Sequence, residues 1–233
     1  MLADFHVHSA FSDDSTYPLD EVCRDAIMRN LDEICFTEHV DYGVKPDFDH
    51  PELARIEEGK PVTNVDYERY FPAVADARER YAAELTVRCG LEFGIQRHTI
   101  PQFEAVRKRW GQDLDFIILS IHQVDDQEFW TGDFQRGRSQ QEYNDAYYEA
   151  MLDVVEAYQG TRSSGISILS SAMARQASTP LRRAEKLSPR YSSARSPMAR
   201  ASRSTRHRSA TAFMTFNHAR RFSSSIATWE AAS

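Results

Sequence analysis

The chain of 233 residues is long enough for one large α/β domain or two small ones, with ample material for a hydrophobic core. Its net charge of −7 and its pI of about 5.6 argue against a nucleic-acid-binding surface. No apolar stretch approaches the roughly 20 residues of a membrane span, and residues 1–8 do not have the pattern of a signal peptide. Cys23, Cys35 and Cys89 lie in apolar segments. We expect reduced core thiols in a cytoplasmic protein rather than a disulfide framework.

The chain opens on a short apolar segment, 2–7, that is typical of a buried β-strand. Alternate residues of a strand point to the same side, so Asp4, His6 and His8 are predicted to share one face. Two imidazoles at this spacing can bind one metal ion, and a carboxylate behind them can set their tautomers. The pair alone does not distinguish a metal site from a polar strand end.

The rest of residues 1–160 repeats a rhythm of strand, polar strand end and helix. Pro18 begins an amphipathic helix, and residues 40–65 form a loop of the length expected for a functional segment or lid. The predicted elements after the first strand are a helix at 18–30, a strand at 33–37 followed by Glu38 and His39, a helix at 67–85, a strand at 85–92, a helix at 103–110, a strand at 116–122 and a helix at 141–158.

Four predicted strands end in residues that bind metals well. His6 and His8 lie at the end of the first strand, and His39, Glu92 and His122 lie at the ends of the next three. Continuous apolar strands separated by helices indicate a parallel sheet, and in (β/α) barrels the functional groups gather at the carboxyl ends of the strands. Any one of these residues suits a structural polar role. The four strand ends together predict a metal site.

Five segments carry a family resemblance. Residues 4–9, the loop reaching Asp14, and residues 36–41, 90–94 and 119–122 resemble, in order, the motifs of the polymerase and histidinol phosphatase (PHP) superfamily. Residues 34–41 and 91–94 are most similar to its histidinol-phosphatase branch. The resemblance covers residues 1 to about 160. It implies a distorted (β/α)7 TIM-like barrel. It also implies an enzyme of histidine biosynthesis that hydrolyses L-histidinol phosphate.

The resemblance also implies two or three divalent metal ions, for which mixed histidine and carboxylate ligands favour Zn, Mn or Fe. By resemblance, the first metal binds His6 and His8, the second binds His122, and Glu92 bridges them. Asp14 and His39 would bind a third ion, with Asp13 as an open alternative to Asp14. Glu92 and His122 are the expected catalytic residues, and Glu38 is expected to support the site without binding metal. Arg136 and Arg138 are candidate phosphate contacts, although exposed arginines are more often simply solvated.

Composition changes sharply near residue 160. Thirteen basic and two acidic residues give 161–233 a net charge of +11, so residues 1–160 carry −18. The segment is rich in Ser, Arg and Ala and has no helix or strand period, which predicts a disordered tail. We therefore divide the chain into a PHP-type partial barrel of four βα units at 1–160 and a basic tail at 161–233.

Two motifs that the family places in its later strands, a Gly-His pair and an Asp-Ala-His, do not occur in 161–233. If the codons for residues 161–168 are chosen suitably and the reading frame begins one base earlier, the same bases can encode Tyr-Ser-Val-Leu-Gly-His-Leu-Asp. This restores the Gly-His pair. Residues 212–218 can likewise encode Gly-Leu-His-Asp-Leu-Gln-Pro, similar to the family's late barrel sequence. Our hypothesis is that 161–233 is an out-of-frame translation. The alternative is a genuine basic tail for a nucleic-acid or acidic partner.

The sequence leaves three functions open. The first is a metal-dependent phosphatase acting on a small phosphate ester, without nucleic-acid or membrane partners, and inactive if the later ligands are missing. The second is another PHP phosphoesterase, such as a nuclease, which the acidic composition of 1–160 disfavours because binding to a phosphate backbone recruits Lys and Arg. The third is an inactive remnant that only binds metal or a partner.

Overall fold

The computed structural model describes residues 1–57 and 59–158, together with the backbone of 167–171. In chain order the elements are β1 (Ala3–Val7), α1 (Leu19–Met28), β2 (Glu33–Val40), β3 (Ile56–Glu57), β4 (Lys60–Pro61), α2 (Tyr67–Tyr81), β5 (Thr86–Gly94), α3 (Ile100–Trp110), β6 (Phe116–Ser120), β7 (Gln123–Val124), β8 (Gln127–Glu128), α4 (Gln140–Ala157) and β9 (Ser167–Ser171). Short 3-10 helices span Pro51–Leu53 and Arg97–Thr99.

Five parallel strands form one curled sheet in the order β1-β2-β5-β6-β9. Strands β2, β5 and β6 are apolar and almost wholly buried, as expected where helices cover a parallel sheet. The order of the strands across this sheet is their order along the chain. The pairs β3–β4 and β7–β8 are separate antiparallel hairpins. The predicted α/β half-barrel is confirmed, and every helix and sheet strand predicted before residue 160 is present.

Two of the helices begin at residues whose side chains cap them. Asp66 caps α2 by accepting a hydrogen bond from the backbone N–H of Arg69, and Ser139 and Glu142 form a reciprocal capping box at the start of α4. Helix α2 packs on β5, where the buried Tyr70 hydroxyl donates to the Gly90 carbonyl at 2.8 Å. Such contacts bury one face of each helix and hold the strand ends at fixed positions.

Two features of the sheet differ from the expectation. The register between β1 and β2 is irregular between Asp4 and Val7, so β1 is not a plain alternating strand. The fifth strand, β9, pairs with β6 inside the segment for which no regular structure was predicted. The other residues of the predicted tail, 161–166 and 172–233, lie outside the described residues.

The loop at 41–66 and the loop after β6 lie at the same end of the sheet and contact each other. The Arg55 guanidinium forms a bidentate ion pair with Glu128, at 2.7 and 3.0 Å. The hairpin β7–β8, which was not predicted, turns through Asp125 and Asp126, both with positive φ. No helix among the described residues has the length and apolarity needed to cross a membrane.

Candidate metal centre

Glu92, at the end of β5, lies at the middle of the predicted site. Its side chain is 3% exposed, and its Oε2 lies 2.7 Å from His6 Nε2 and 3.2 Å from His8 Nε2. Its Oε1 lies 3.1 Å from His122 Nε2 and accepts a hydrogen bond from the Ser120 hydroxyl at 2.6 Å. Burial raises the pKa of Glu92, but nearby histidines, His122 first, outweigh it and hold the pKa well below its usual value. One buried carboxylate therefore faces three imidazoles from two other strands.

A second carboxylate, Asp14, faces the other side of this row of histidines. Its two oxygens lie 3.2 Å from His8 Nδ1 and 3.5 Å from His39 Nε2. Asp13, the open alternative, points instead to the Lys45 ammonium at 2.8 Å. Of the two adjacent aspartates, the structure thus places Asp14 beside the histidines.

The four histidines form a continuous row. Ring centroids are separated by 5.1 Å for His6 and His8, 4.4 Å for His8 and His39, and 4.9 Å for His39 and His122. Within the described residues, three groups have ligand atoms close enough to share a metal ion: His6, His8 and Glu92; His8, Asp14 and His39; and His39, Asp41 and His122. Every residue predicted to bind metal is in at least one group.

Asp41 is a member that the sequence analysis did not single out. Its Oδ1 lies 2.7 Å from His122 Nδ1, and its Oδ2 lies 2.7 Å from the Lys45 ammonium. Burial opposes the charged form of both Asp41 and His122. The Lys45 ammonium and then His122 nevertheless hold the pKa of Asp41 far below its usual value, and Asp41 and Glu92 raise the pKa of His122 to about 10. The position of Asp41, two residues after His39, was the available signal.

Comparison with known proteins agrees with this geometry. The PHP domain matches residues 4–192 of the chain. The chain belongs to the PHP family. It is 30% identical over 166 residues to the histidinol-phosphatase of Lactococcus lactis subsp. lactis (strain IL1403), covering 70% of this chain and 55% of that protein. It is 26% identical over 120 residues to the histidinol-phosphatase of Bacillus subtilis (strain 168), covering 51% and 43%.

Solved structures show the same fold. The histidinol phosphate phosphatase of L. lactis, complexed with Zn, L-histidinol and phosphate, superposes with a TM-score of 0.58 at 27% identity, covering 68% of this chain and 55% of that one. A putative histidinol phosphatase from Listeria monocytogenes gives a TM-score of 0.55 at 20% identity, covering 68% and 63%. The PHP chain spans about half the length of the curated relatives it matches.

The residues of this PHP domain fit divalent metal ions. The buried His39 Nδ1 makes no hydrogen bond to any described residue, yet it lies 3.7 Å from Glu92 Oε2 and 3.9 Å from Asp41 Oδ2. A buried imidazole nitrogen that faces the Glu92 carboxylate beyond hydrogen-bond distance suits a cation between them. Imidazole and carboxylate are also the ligand types that zinc and similar metals prefer.

Glu38, expected to support the site without binding metal, lies at the edge of the PHP site. Glu38 is fully buried and accepts hydrogen bonds from the Ser9 backbone N–H and hydroxyl, the latter at 2.6 Å. Burial raises its pKa. It therefore fixes the loop after β1 and belongs to no metal-binding group among the described residues.

The two arginines considered as phosphate contacts are engaged within their own loop. Arg138 donates to the Phe134 carbonyl and packs over the Phe134 ring, with 4.7 Å from guanidinium carbon to ring centroid. Arg136 pairs with Asp133 at 2.7 Å. Their role as phosphate contacts stays a prediction.

Proposed function

We propose that this PHP chain is a metal-dependent phosphomonoester hydrolase of the histidinol-phosphatase type, which converts L-histidinol phosphate and water to L-histidinol and phosphate. The observation that carries the proposal is the convergence of four histidines with Glu92 and Asp14 at the strand ends. Support for the substrate comes from the relatives, both named histidinol-phosphatase, and from the L. lactis structure with Zn, L-histidinol and phosphate. The reaction would belong to histidine biosynthesis.

The proposed ligand roles follow the contacts of Glu92 and Asp14. We assign His6 and His8 to a first ion and His122 to a second, with Glu92 shared, because Glu92 has one oxygen toward the first pair and the other toward His122. Asp14 and His39 would hold a third ion, because both contact the far side of the row. Paired Zn, Mn or Fe ions supply Lewis acidity toward the phosphoryl group and lower the pKa of bound water to about 7.

The protein's own groups prepare this site. Ser120 and three imidazoles hold the Glu92 carboxylate in one orientation within a buried pocket, so its charge is poorly screened by solvent. Asp41 and Glu92 raise the pKa of His122 to about 10, and Asp14 and Glu92 raise that of His8 well above its usual value, against the effect of burial. Glu92 and His122 are the proposed catalytic residues because their side chains meet at 3.1 Å, where the paired ions would act.

The test is release of phosphate from L-histidinol phosphate by the protein expressed with one base restored before the Thr161 codon, with Zn2+ or Mn2+ added and with EDTA. Single-stranded DNA and an unrelated phosphomonoester serve as comparison substrates. Metal-dependent turnover of histidinol phosphate above the others supports the proposal. Cleavage of DNA instead would support the nuclease alternative, and bound metal without turnover of any substrate would identify a metal-binding remnant.

We further propose that residues 161–233 are an out-of-frame translation. Support comes from codon degeneracy, which restores family-like sequence at two separate positions, and from the sharp change of charge at Thr161. The experiment is to sequence the gene across the Gly160 codon in independent isolates and to express it with one base restored before Thr161. The 233-residue chain is expected to hydrolyse histidinol phosphate near background, because 161–233 lacks the Gly-His and Asp-Ala-His motifs of the family. Two-metal chemistry needs all its ligands held within about 0.5 Å of their working positions.

The restored gene is expected to be active. An intact single frame in all isolates, or equal activity of the two proteins, would contradict the out-of-frame proposal while leaving the metal site to its own tests. A cytoplasmic location is also proposed, supported by three free, buried cysteines. Cell fractionation would check it.

A further inference from the structure

The first turn after β2 brings Asp41 and Lys45 together and holds them rigidly. The Lys45 backbone N–H donates to the Asp41 carbonyl at 2.9 Å. The buried Asn64 accepts from the Asp41 backbone N–H at 2.8 Å and donates to the Lys45 carbonyl at 3.3 Å. Backbone and side-chain hydrogen bonds therefore hold both residues in place without a ligand.

Lys45 is a buried cation with two anionic partners. Its side chain is 7% exposed, and its ammonium lies 2.7 Å from Asp41 and 2.8 Å from Asp13. An ammonium so far from solvent is stable only when it is paired and hydrogen-bonded. Since Asp13 comes from the loop after β1 and Asp41 from the end of β2, Lys45 ties two loops of the site together.

Asp41 also fixes the ring of His122. Its free oxygen accepts from His122 Nδ1 at 2.7 Å, which leaves Nε2 directed at Glu92, 3.1 Å away. A carboxylate behind a histidine sets the tautomer and the ring orientation, and so decides which nitrogen is offered to a metal. Gly94 makes room for the pair, because a Cβ there would lie 1.8 Å from Asp41 Oδ1 and 2.6 Å from His122 Nδ1.

We propose that Asp41 and Lys45 are positioning residues: Asp41 holds His122 with Nε2 facing Glu92, and the Lys45 ammonium takes the cation position beside Asp41. Of the three groups with metal-binding geometry, the one formed by His39, Asp41 and His122 is then not a separate ion site. This inference rests on the proposed metal centre, but it assigns to Asp41 a supporting role instead of a metal-ligand role.

The experiment uses the full 233-residue chain and the variants Asp41→Ala and Lys45→Met. Two matched controls, Asp49→Ala and Lys60→Met, remove the same charges from exposed positions of the same loop. Zinc affinity and stoichiometry are measured by calorimetry and metal analysis. The 1H–15N signal of the His122 Nδ1–H is recorded with and without zinc, because a hydrogen bond to Asp41 protects that proton in both states.

Asp41→Ala should abolish the protected Nδ1–H signal and weaken zinc binding by about 10- to 100-fold, the usual effect of losing a partner behind a metal ligand, with stoichiometry unchanged. Lys45→Met should speed the exchange of this proton with water, Lys45→Arg should restore part of the protection, and the controls should match the parent chain. If Asp41→Ala alone fails to fold, the double variant Asp41→Ala/Lys45→Met, which leaves no unpaired ammonium at this site, is measured in its place.

Three results would overturn the proposal: loss of one zinc equivalent in Asp41→Ala, which would make Asp41 a ligand; a persistent Nδ1–H signal; or unchanged zinc affinity. If the parent chain binds no zinc, the proposed metal centre fails. The Nδ1–H signal still decides the positioning role in that case.

Discussion

The carboxylates at the two ends of the sheet have different partners. At the amino end, Glu33 accepts from Arg88 at 2.7 Å, and Asp115 pairs with Arg78 and accepts from the Cys89 backbone N–H at 2.9 Å. At the carboxyl end, Glu92 faces histidines. Both ends neutralise negative charge, but an arginine keeps its proton under all ordinary conditions, whereas a histidine can release one and offer a lone pair.

Burial separates the two ends further. The Arg88 side chain is 44% exposed and that of Asp115 is 30% exposed, whereas Glu92 and Asp41 are 3% exposed. Exposed ion pairs contribute little to stability, and buried charges cost free energy unless every partner is in place. The partly exposed pairs at the amino end therefore cost little free energy, whereas the buried charges at the carboxyl end lower stability unless their partners compensate them. Each of the following predictions tests this division.

The largest effect is expected at Glu92. Replacing it with Gln keeps the shape but removes the charge that faces His6, His8 and His122. Zinc binding, measured by titration after dialysis, should fall by more than the roughly 100-fold that marks the loss of an outer partner. The matched control at the other end is Glu33→Gln, which should bind zinc like the parent chain. Equal zinc content in the parent and in Glu92→Gln would contradict the bridging role.

The next largest effects are expected at the adjacent aspartates, where the two substitutions should change different properties. Asp14→Asn is expected to weaken zinc binding, because Asp14 contacts His8 and His39. Asp13→Asn is expected to lower the free energy of unfolding by about 1.5–3 kcal/mol, because it removes a charged hydrogen-bond partner from the buried Lys45. Urea unfolding and zinc titration of both variants measure the two effects. If the two variants exchanged effects, Asp13 would be the ligand.

A smaller effect is expected at the amino end. Asp115→Asn weakens the acceptor for Arg78 and for the Cys89 backbone N–H, with Arg88 3.8 Å away. The free energy of unfolding should drop by about 1 kcal/mol, the upper range for a partly exposed ion pair. Zinc affinity should not change. A loss of zinc binding in this variant would show that the two ends are coupled.

The smallest effect is expected at the buried thiols of α1, β2 and β5. Burial raises the pKa of Cys23 and of Cys89 to about 12, and it also raises that of Cys35. At pH 8 a thiol with that pKa is about one part in ten thousand thiolate, so labelling by a disulfide reagent should be slow with or without zinc. All three cysteines should react at once in denaturant. Fast labelling of the native chain would show that the sheet opens readily.

Sequence patterns predicted the strand ends well, because apolar runs and strand polarity are local properties. Residues such as His39 and His122 could be placed at one edge of the sheet without knowing any contact. Asp13 and Asp14 could not be separated, because neighbours in a turn differ only in the direction that tertiary packing gives them.

The Asp41–Lys45 pair was missed for a related reason. A spacing of four residues in a loop carries no signal until Asn64, distant in sequence, closes the turn. The β7–β8 hairpin was missed because its turn uses Asp125 and Asp126 with positive φ, where glycine or asparagine would have been the stronger signal. Strand β9 lies in sequence with no strand period, so no local pattern indicated that it pairs with β6.

The order of the strands also shapes how the protein forms. Because β1, β2, β5 and β6 pair in the order in which they are synthesised, each new βα unit can dock on the edge left by the previous one. His6, His8, Asp14, His39, Glu92 and His122 have all been synthesised once β6 is followed by His122. A growing chain can therefore assemble this cluster while later residues are still being translated. Zinc present at that moment would act as a folding ligand, joining the first strand to the fourth in the sheet before the final edge is laid down.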